Sequence, residues 1–339
     1  MIYSLLLVYL IVGSSLAEEV MEGSVGIEDS IESSNYQTNY ETKDIDKNIE
    51  EIKQLATLAD KYDRDVPKDR IEELYKKITE KITNLIDSLK TSHDAYKILN
   101  NKEIDETVSS ITNIKHDPLK QQLLILLKTL FDVAPVTTNE LLPPYIMDKL
   151  LDIFKKDNNF LKTHAVNIIN KWLPNNPKIQ ARLMKLNGLE LFYDQVTKLD
   201  TSLVYNLLVL FNNILEEHLS TRSKSQKDKN DFETVKLYEN IGFIDKISTP
   251  ALCNGLLNVF AIISKRNDFE IEPTIYHLLK NVKPFCLRSY YGKLQAAKIL
   301  QMLKDHVNDL NEEDSQSIEV KKLLDEYISY IKEGKHDEF

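Results

Sequence analysis

Cysteine is almost missing from this 339-residue chain, with Cys253 and Cys286 the full complement. Neither belongs to a C-x-x-C, and the seven histidines (His93, His116, His164, His218, His277, His306, His336) never pair one helical turn apart, so no metal site is expected. Glycine is scarce too. There are eight, and Gly13, Gly23 and Gly26 fall at the N-terminal end, which leaves too few for the turns of a sandwich, a barrel or a doubly wound sheet. The phosphate-cradling patterns G-x-x-x-x-G-K-[ST] and G-x-G-x-x-G are absent, as are G-x-S-x-G and H-E-x-x-H. His164 is the one candidate general base, yet a lone histidine at the head of a helix is far more often a surface residue. The chain is therefore not expected to be an enzyme or to carry a cofactor.

Positive charge is in deficit, with 43 Lys and Arg against 53 Asp and Glu and a net charge of −10. Much of the imbalance is local: Glu18, Glu19, Glu22, Glu28, Asp29, Glu32 and Glu41 occupy a stretch, residues 18–42, that holds no lysine or arginine. Without a basic stripe to displace phosphate counterions, nucleic acid is not an expected partner. Residues 18–43 are expected to be disordered.

What is present begins with an apolar run, IYSLLLVYLIV at residues 2–12, followed by Gly13-Ser14-Ser15-Leu16-Ala17. Small residues at 15 and 17 fit cleavage after Ala17, so residues 1–17 read as a secretory signal peptide. The run is shorter than a bilayer requires, and no stable membrane insertion is expected after cleavage. The chain ends His336-Asp337-Glu338-Phe339, one residue from the HDEL type of retrieval signal. A retrieval receptor is thus an expected partner, and the endoplasmic reticulum lumen the expected address. Cys253 and Cys286 both sit in apolar helical surroundings. They are expected as buried thiols, a single disulfide being the alternative, because a chain this long needs no staple.

Beyond residue 44, apolar residues recur at three and four positions and prolines fall between the periodic segments, which predicts an all-α body. Five segments share one apolar pattern: Leu123–Leu130, Ala165–Trp172, Leu207–Ile214, Leu256–Ile263 and Ala296–Leu303. Their starts lie 42, 42, 49 and 40 residues apart, and the polar run from Ser220 to Asn230 accounts for the long interval as a loop insertion of about seven residues. That period predicts an armadillo/HEAT-like right-handed superhelical solenoid. Residues 118–310 form its repeats, residues 44–117 and 311–335 its helical caps, and a monomer is expected.

The same pattern marks an outward stripe. It runs through Asn167, Asn170 and Lys171, then Val209, Asn212 and Asn213, then Asn258, then Lys298 and Gln301, with Glu216, Lys265 and Asp305 one turn further on. Asparagine is a poor helix former, so its recurrence inside helices makes this stripe the candidate partner-binding surface.

Around the second segment, Ala165-Val166, Asn175-Asn176-Pro177-Lys178-Ile179-Gln180 and Asn187-Gly188-Leu189-Glu190-Leu191 resemble the armadillo-type nucleotide exchange factors of heat-shock-70 chaperones. Those proteins carry Q-N-N-P-K-x-Q and then G-G-L/A-x-x-L; here Pro174 replaces the Gln, Asn187 the first Gly, and bulky Trp172 a small residue. With the leader and the C-terminal tetrapeptide, the resemblance implies the lumenal branch, the exchange factor of BiP. It implies that the concave face grips the chaperone's ATPase domain and opens it for ADP release. The cysteine pair near the mature N-terminus of some members is missing here. In the motif itself Pro177 is expected to start a helix, Asn175 or Asn176 to cap it, and Gly188 to end it in the left-handed conformation. The alternative reading is a lumenal helical-repeat scaffold that binds a peptide or assembly partner without exchange activity.

Overall fold

The computed structural model describes residues 31–62, 67–223, 229–266, 272–309 and 315–333. The chain divides into two compact units, residues 1–44 and residues 45–339. Residues 1–17, most of the acidic stretch and the C-terminal tetrapeptide lie outside the described residues. Residues 31–43, expected to be disordered, belong instead to α1 (Ile31–Tyr62). No glycine or proline occurs between Gly26 and Pro67, so nothing in that stretch breaks a helix.

Within the second unit α1 buries Ile45, Ile49, Ile52, Ala56 and Ala59, a three-four spacing that faces one side inward. Then follow α2 (Lys68–Ser88), α3 (Ser92–Leu99), α4 (Ile104–Asn113), α5 (Asp117–Val133), α6 (Pro135–Leu141), α7 (Ile146–Lys156), α8 (Asn159–Trp172), α9 (Pro177–Lys185) and α10 (Gly188–Gln195). After a short 3₁₀ turn come α11 (Thr201–Ser223), α12 (Lys229–Ile241), α13 (Phe243–Ile247), α14 (Pro250–Arg266), α15 (Glu272–Tyr290), α16 (Leu294–Asp309) and α17 (Ser315–Glu333). The described residues contain no strand.

Packing sorts these helices into rows, which makes the unit an all-α, armadillo-like repeat array. In the third row α2, α5, α8, α11, α15 and α17 each pack on the next. In the second row α4, α7, α10, α14 and α16 do the same. The first helices of the repeats pair as α3 with α6 and α9 with α12. Each repeat thus buries its apolar face against its neighbours, and one continuous core results. The repeats begin earlier than residue 118, since α3, α4 and α5 already form one. They also run later than 310, because α17, expected as a cap, is the third-row partner of α15.

Local chemistry repeats with the same period. His116, Asn158 and Asp200, 42 residues apart, accept from the backbone amides of Leu119, Leu161 and Leu203 and so cap α5, α8 and α11. Lys120 and Lys162, also 42 apart, reach the C-terminal ends of α7 and α10: Lys120 Nζ lies 3.0 Å from Asp157 and Lys162 Nζ donates to Gln195 over 3.2 Å. Cations there meet the negative end of the helix dipole. Burial, then the nearby Lys198 charge, push the Lys162 amine below its ordinary pKa.

The third-row helices start at 117, 159, 201, 272 and 315, so their spacing is 42, 42, 71 and 43. The fourth repeat is therefore much longer than expected. Leu256–Ile263 and Ala296–Leu303 lie in α14 and α16, helices of the second row, whereas the first three segments lie in the third. Any helix buried on two sides satisfies the same apolar pattern, and the shared motif passes from one row to the other across the insertion. The run expected as a loop is also helical at its ends, in α11 through Ser223 and in α12 from Lys229.

Candidate partner-binding face

In the third row α8, which carries Asn167, Asn170 and Lys171, packs against α11, which carries Asn212, Asn213 and Glu216. Lys171 reaches Asp132 of α5 at 2.6 Å, and Lys128 meets the same carboxylate at 2.8 Å. Burial alone would raise the Asp132 pKa, but these two lysines hold it below the usual range. Glu216 bridges to α15, 2.7 Å from His277 Nε2 and accepting from Asn281 over 3.3 Å. Lys283 of α15 in turn meets Glu326 of α17 at 2.5 Å. Ion pairs thus tie α5 to α8 and α15 to α17, hydrogen bonds to Glu216 tie α11 to α15, and the face displays both signs of charge.

Several members of the expected stripe lie elsewhere. Asn258 and Lys298 are exposed on α14 and α16, in the second row, and Gln301 there donates to Asp305 over 2.8 Å. The side chain of Lys265 is outside the described residues, as are His336, Asp337, Glu338 and Phe339. Asn212 was expected on the surface but is 4% exposed, because the start of α15 covers it; its Nδ2 donates to the Thr274 carbonyl over 3.2 Å. Thr274, His277 and Lys280 of α15 and Glu319, Lys322 and Glu326 of α17 occupy the places expected for the second-row residues. The sequence does carry a signal for them, the 43-residue spacing of α15 and α17, once the fourth repeat is allowed its extra length. Residues of α11, α15 and α17 together line a groove of about 740 Å³.

The motif around Pro177 proves to be structural. Pro177 opens α9 and Asn176 caps it, accepting from the Ile179 amide. Asn175 takes a left-handed conformation with φ 56°. Gln180, 1% exposed, donates to the Leu173 carbonyl and to Glu217 over 3.0 Å each, which leaves its Oε1 to accept from His218 Nε2 at 2.9 Å. Glu217 also accepts from Tyr238 and from the Asn175 amide, so α9, α11 and α12 share one polar network. Burial, then the Glu217 bond, raise the Tyr238 pKa.

Gly188, expected to take the left-handed conformation, does not. Asn187 does so with φ 52°, and Gly188 opens α10. Glycine is needed at 188 for a different reason: a Cβ there would lie 2.2 Å from Leu183 Cδ1. We expect Gly188→Ala to lower stability by about 2 kcal/mol through overpacking. Asn187→Gly, which keeps the conformation, is expected to be near neutral. Urea denaturation of the two variants checks this, and equal midpoints would contradict it.

Residues 106–336 match the family model described as the SIL1/FES1/HPBP1 C-terminal domain. The chain belongs to that family. Its members are armadillo-like Hsp70 nucleotide exchange factors, so binding to the ATPase domain of an Hsp70 comes with membership. The matched span of this SIL1/FES1/HPBP1 member takes in most of α4 and every later helix, including the third-row face from α5 to α17. No curated protein matches the chain. Among solved structures it is similar to two engineered proteins. One is 13% identical with TM-score 0.46, covering 82% of this chain and 98% of that one; the other is 12% identical with TM-score 0.45, covering 82% and 96%. It is also similar to SYS-1, 12% identical with TM-score 0.47, where the match covers 84% of this chain and 49% of SYS-1.

Proposed function

We propose that this chain is the nucleotide exchange factor of a BiP-type heat-shock-70 chaperone in the endoplasmic reticulum lumen, where it supports protein translocation and folding. The third-row helices clasp the chaperone's ATPase domain and hold it in an opened form from which ADP departs. The observation that carries this reading is the family match over the whole third-row face from α5 onward, in a sequence with no phosphate-binding loop. An exchange factor needs no nucleotide contact of its own, only a preference for the open state of its partner. The apolar leader and the C-terminal His336-Asp337-Glu338-Phe339 support the lumenal address, as does the Cys253–Cys286 disulfide, a bond of oxidising compartments.

Linkage supplies the test. If the factor weakens ADP binding 100-fold, ADP weakens the factor's binding by the same ratio, about 2.7 kcal/mol. Titrating the isolated ATPase domain of the lumenal chaperone with and without saturating ADP is expected to show that loss. Equal affinities would leave a nucleotide-blind scaffold. A triple variant, Asn167→Ala, Asn213→Ala and His277→Ala, removes polar groups from three adjacent third-row helices. It is expected to weaken binding at least tenfold with unchanged helicity, and full-strength binding would place the contact elsewhere.

A further inference from the structure

On α5, α8 and α11 the third-row face has two ends of different character. Towards the C-terminal ends of these helices stand its charged side chains, and each already has a partner: Lys128 and Lys171 share Asp132, and Glu216 holds His277. A surface whose charges are satisfied internally gains little from an incoming charge, because each new pair replaces an old one. Affinity for a partner must then come from groups that are not so engaged.

Such groups stand at the N-terminal ends. Phe160, the second residue of α8, is 55% exposed, and Tyr205, the fifth of α11, is 41% exposed. Phe160 precedes Asn167 and Lys171 by seven and eleven residues, and Tyr205 precedes Asn213 and Glu216 by eight and eleven, so both rings belong to the outward stripes. The two helices pack on each other, and in their 42-residue register Tyr205 takes the place of Thr163, about one turn on from Phe160. Two aromatic rings thus stand on neighbouring helices at nearly one level. Phe160 is also braced: the ring of His164, whose Nδ1 is buried, meets it edge-on with centroids 4.9 Å apart. Burial, then the Lys128 charge, lower the His164 pKa, so this end of the face stays uncharged.

We propose that Phe160 and Tyr205 are the anchors of the chaperone contact, their rings entering an apolar, uncharged depression on the partner's ATPase domain. An aromatic side chain that is exposed yet already held loses little freedom on binding, which is why such residues carry most of an interface's free energy. The assignment rests on the third row being the chaperone-binding face, and it names the two residues by which that face selects its partner.

The experiment titrates the intact lumenal chaperone with the mature chain. Phe160→Ala with Tyr205→Ala is expected to weaken binding by about a hundredfold, and Tyr205→Phe, which keeps the ring, to leave it within about twofold. Phe232→Ala with Leu294→Ala, which removes comparably exposed side chains from the first and second rows, is expected to change nothing. Raising salt from about 0.05 to about 0.5 M is expected to shift the parental affinity less than about threefold. Urea midpoints are expected to stay at the parental value, since every group removed is exposed. Full-strength binding by the anchor variant, an equal loss in the two double variants, a larger fall with salt, or no binding by the unaltered chain would overturn the assignment. So would sedimentation showing a dimer that the anchor variant abolishes, since the occupant would then be a second copy. In a release assay the anchor variant is expected to need about a hundredfold more chain for half-maximal ADP release, yet to reach the parental maximal rate. Should the unaltered chain bind through the anchors without speeding release, the exchange reading falls and the anchors stand; accelerated release with unweakened binding in the anchor variant is the converse.

Discussion

Replacing Cys253 and Cys286 together with alanine is expected to lower the stability of the fourth repeat by about 4 kcal/mol. The two residues, expected from sequence as separate thiols, form a disulfide that joins α14 to α15 with a sequence separation of 33. Closing a loop of that length removes enough chain entropy from the unfolded ensemble to account for a figure of this order. Both cysteines are fully buried, so reduction by a small dithiol is expected to require local opening and to be slow in the native chain. The consequence is regional, because stability in a repeat array is a sum of units and their interfaces. Amide exchange measured in the variant should rise in α14, α15 and their neighbours α16 and α17, and much less in α5 and α8. A uniform rise along the chain, or none, would contradict the assignment of the disulfide as a staple of one repeat.

Acid is expected to act through His218. Burial pushes its pKa down from the ordinary 6.5 to about 4, and the ring, 3% exposed, stacks on Phe243 with centroids 4.6 Å apart. The folded chain keeps this imidazole neutral while the unfolded chain protonates it near pH 6.5, so the unfolded state binds more protons between those values. Stability is then fully present above about pH 6.5 and is lost as the pH falls towards about 4, by an order of about 3 kcal/mol. His164, whose pKa is also lowered by burial and then by Lys128, adds to the same slope. In His218→Gln, which keeps a side-chain donor for Gln180, the difference from the parent chain isolates the His218 part. Urea midpoints measured from pH 7 to pH 4 should fall less steeply in the variant; parallel curves would show that His218 does not carry the effect.

The helical class and the repeat are legible in the sequence because the apolar segments of α5, α8 and α11 recur at one spacing of 42 residues. The fourth repeat breaks that legibility. A pattern shared by second- and third-row helices cannot report which row it belongs to, and the extra length moves the match from α11 to α14. Asn258, Lys298 and Gln301 therefore fit the outward pattern while lying in the second row, and Thr274, His277, Lys280 and Lys322 lie in the third row outside that pattern. Burial of Asn212 was not legible either, since it depends on where α15 begins. The disulfide has a signal in retrospect: Cys253 lies 13 residues before the end of α14 and Cys286 14 residues after the start of α15, so an antiparallel pairing of those helices brings them together. For Gly188 the competing demand was steric, set by Leu183 one turn earlier, and the backbone role fell to Asn187.

The central claim is that this face opens a lumenal chaperone rather than merely holding it. Stopped-flow release of a fluorescent ADP from purified BiP-type chaperone, with the mature chain in saturating excess, tests it most directly. The account predicts release accelerated about a hundredfold, with no nucleotide hydrolysed by the chain itself. Release at the unassisted rate, under conditions where the two proteins are shown to be bound, would contradict it.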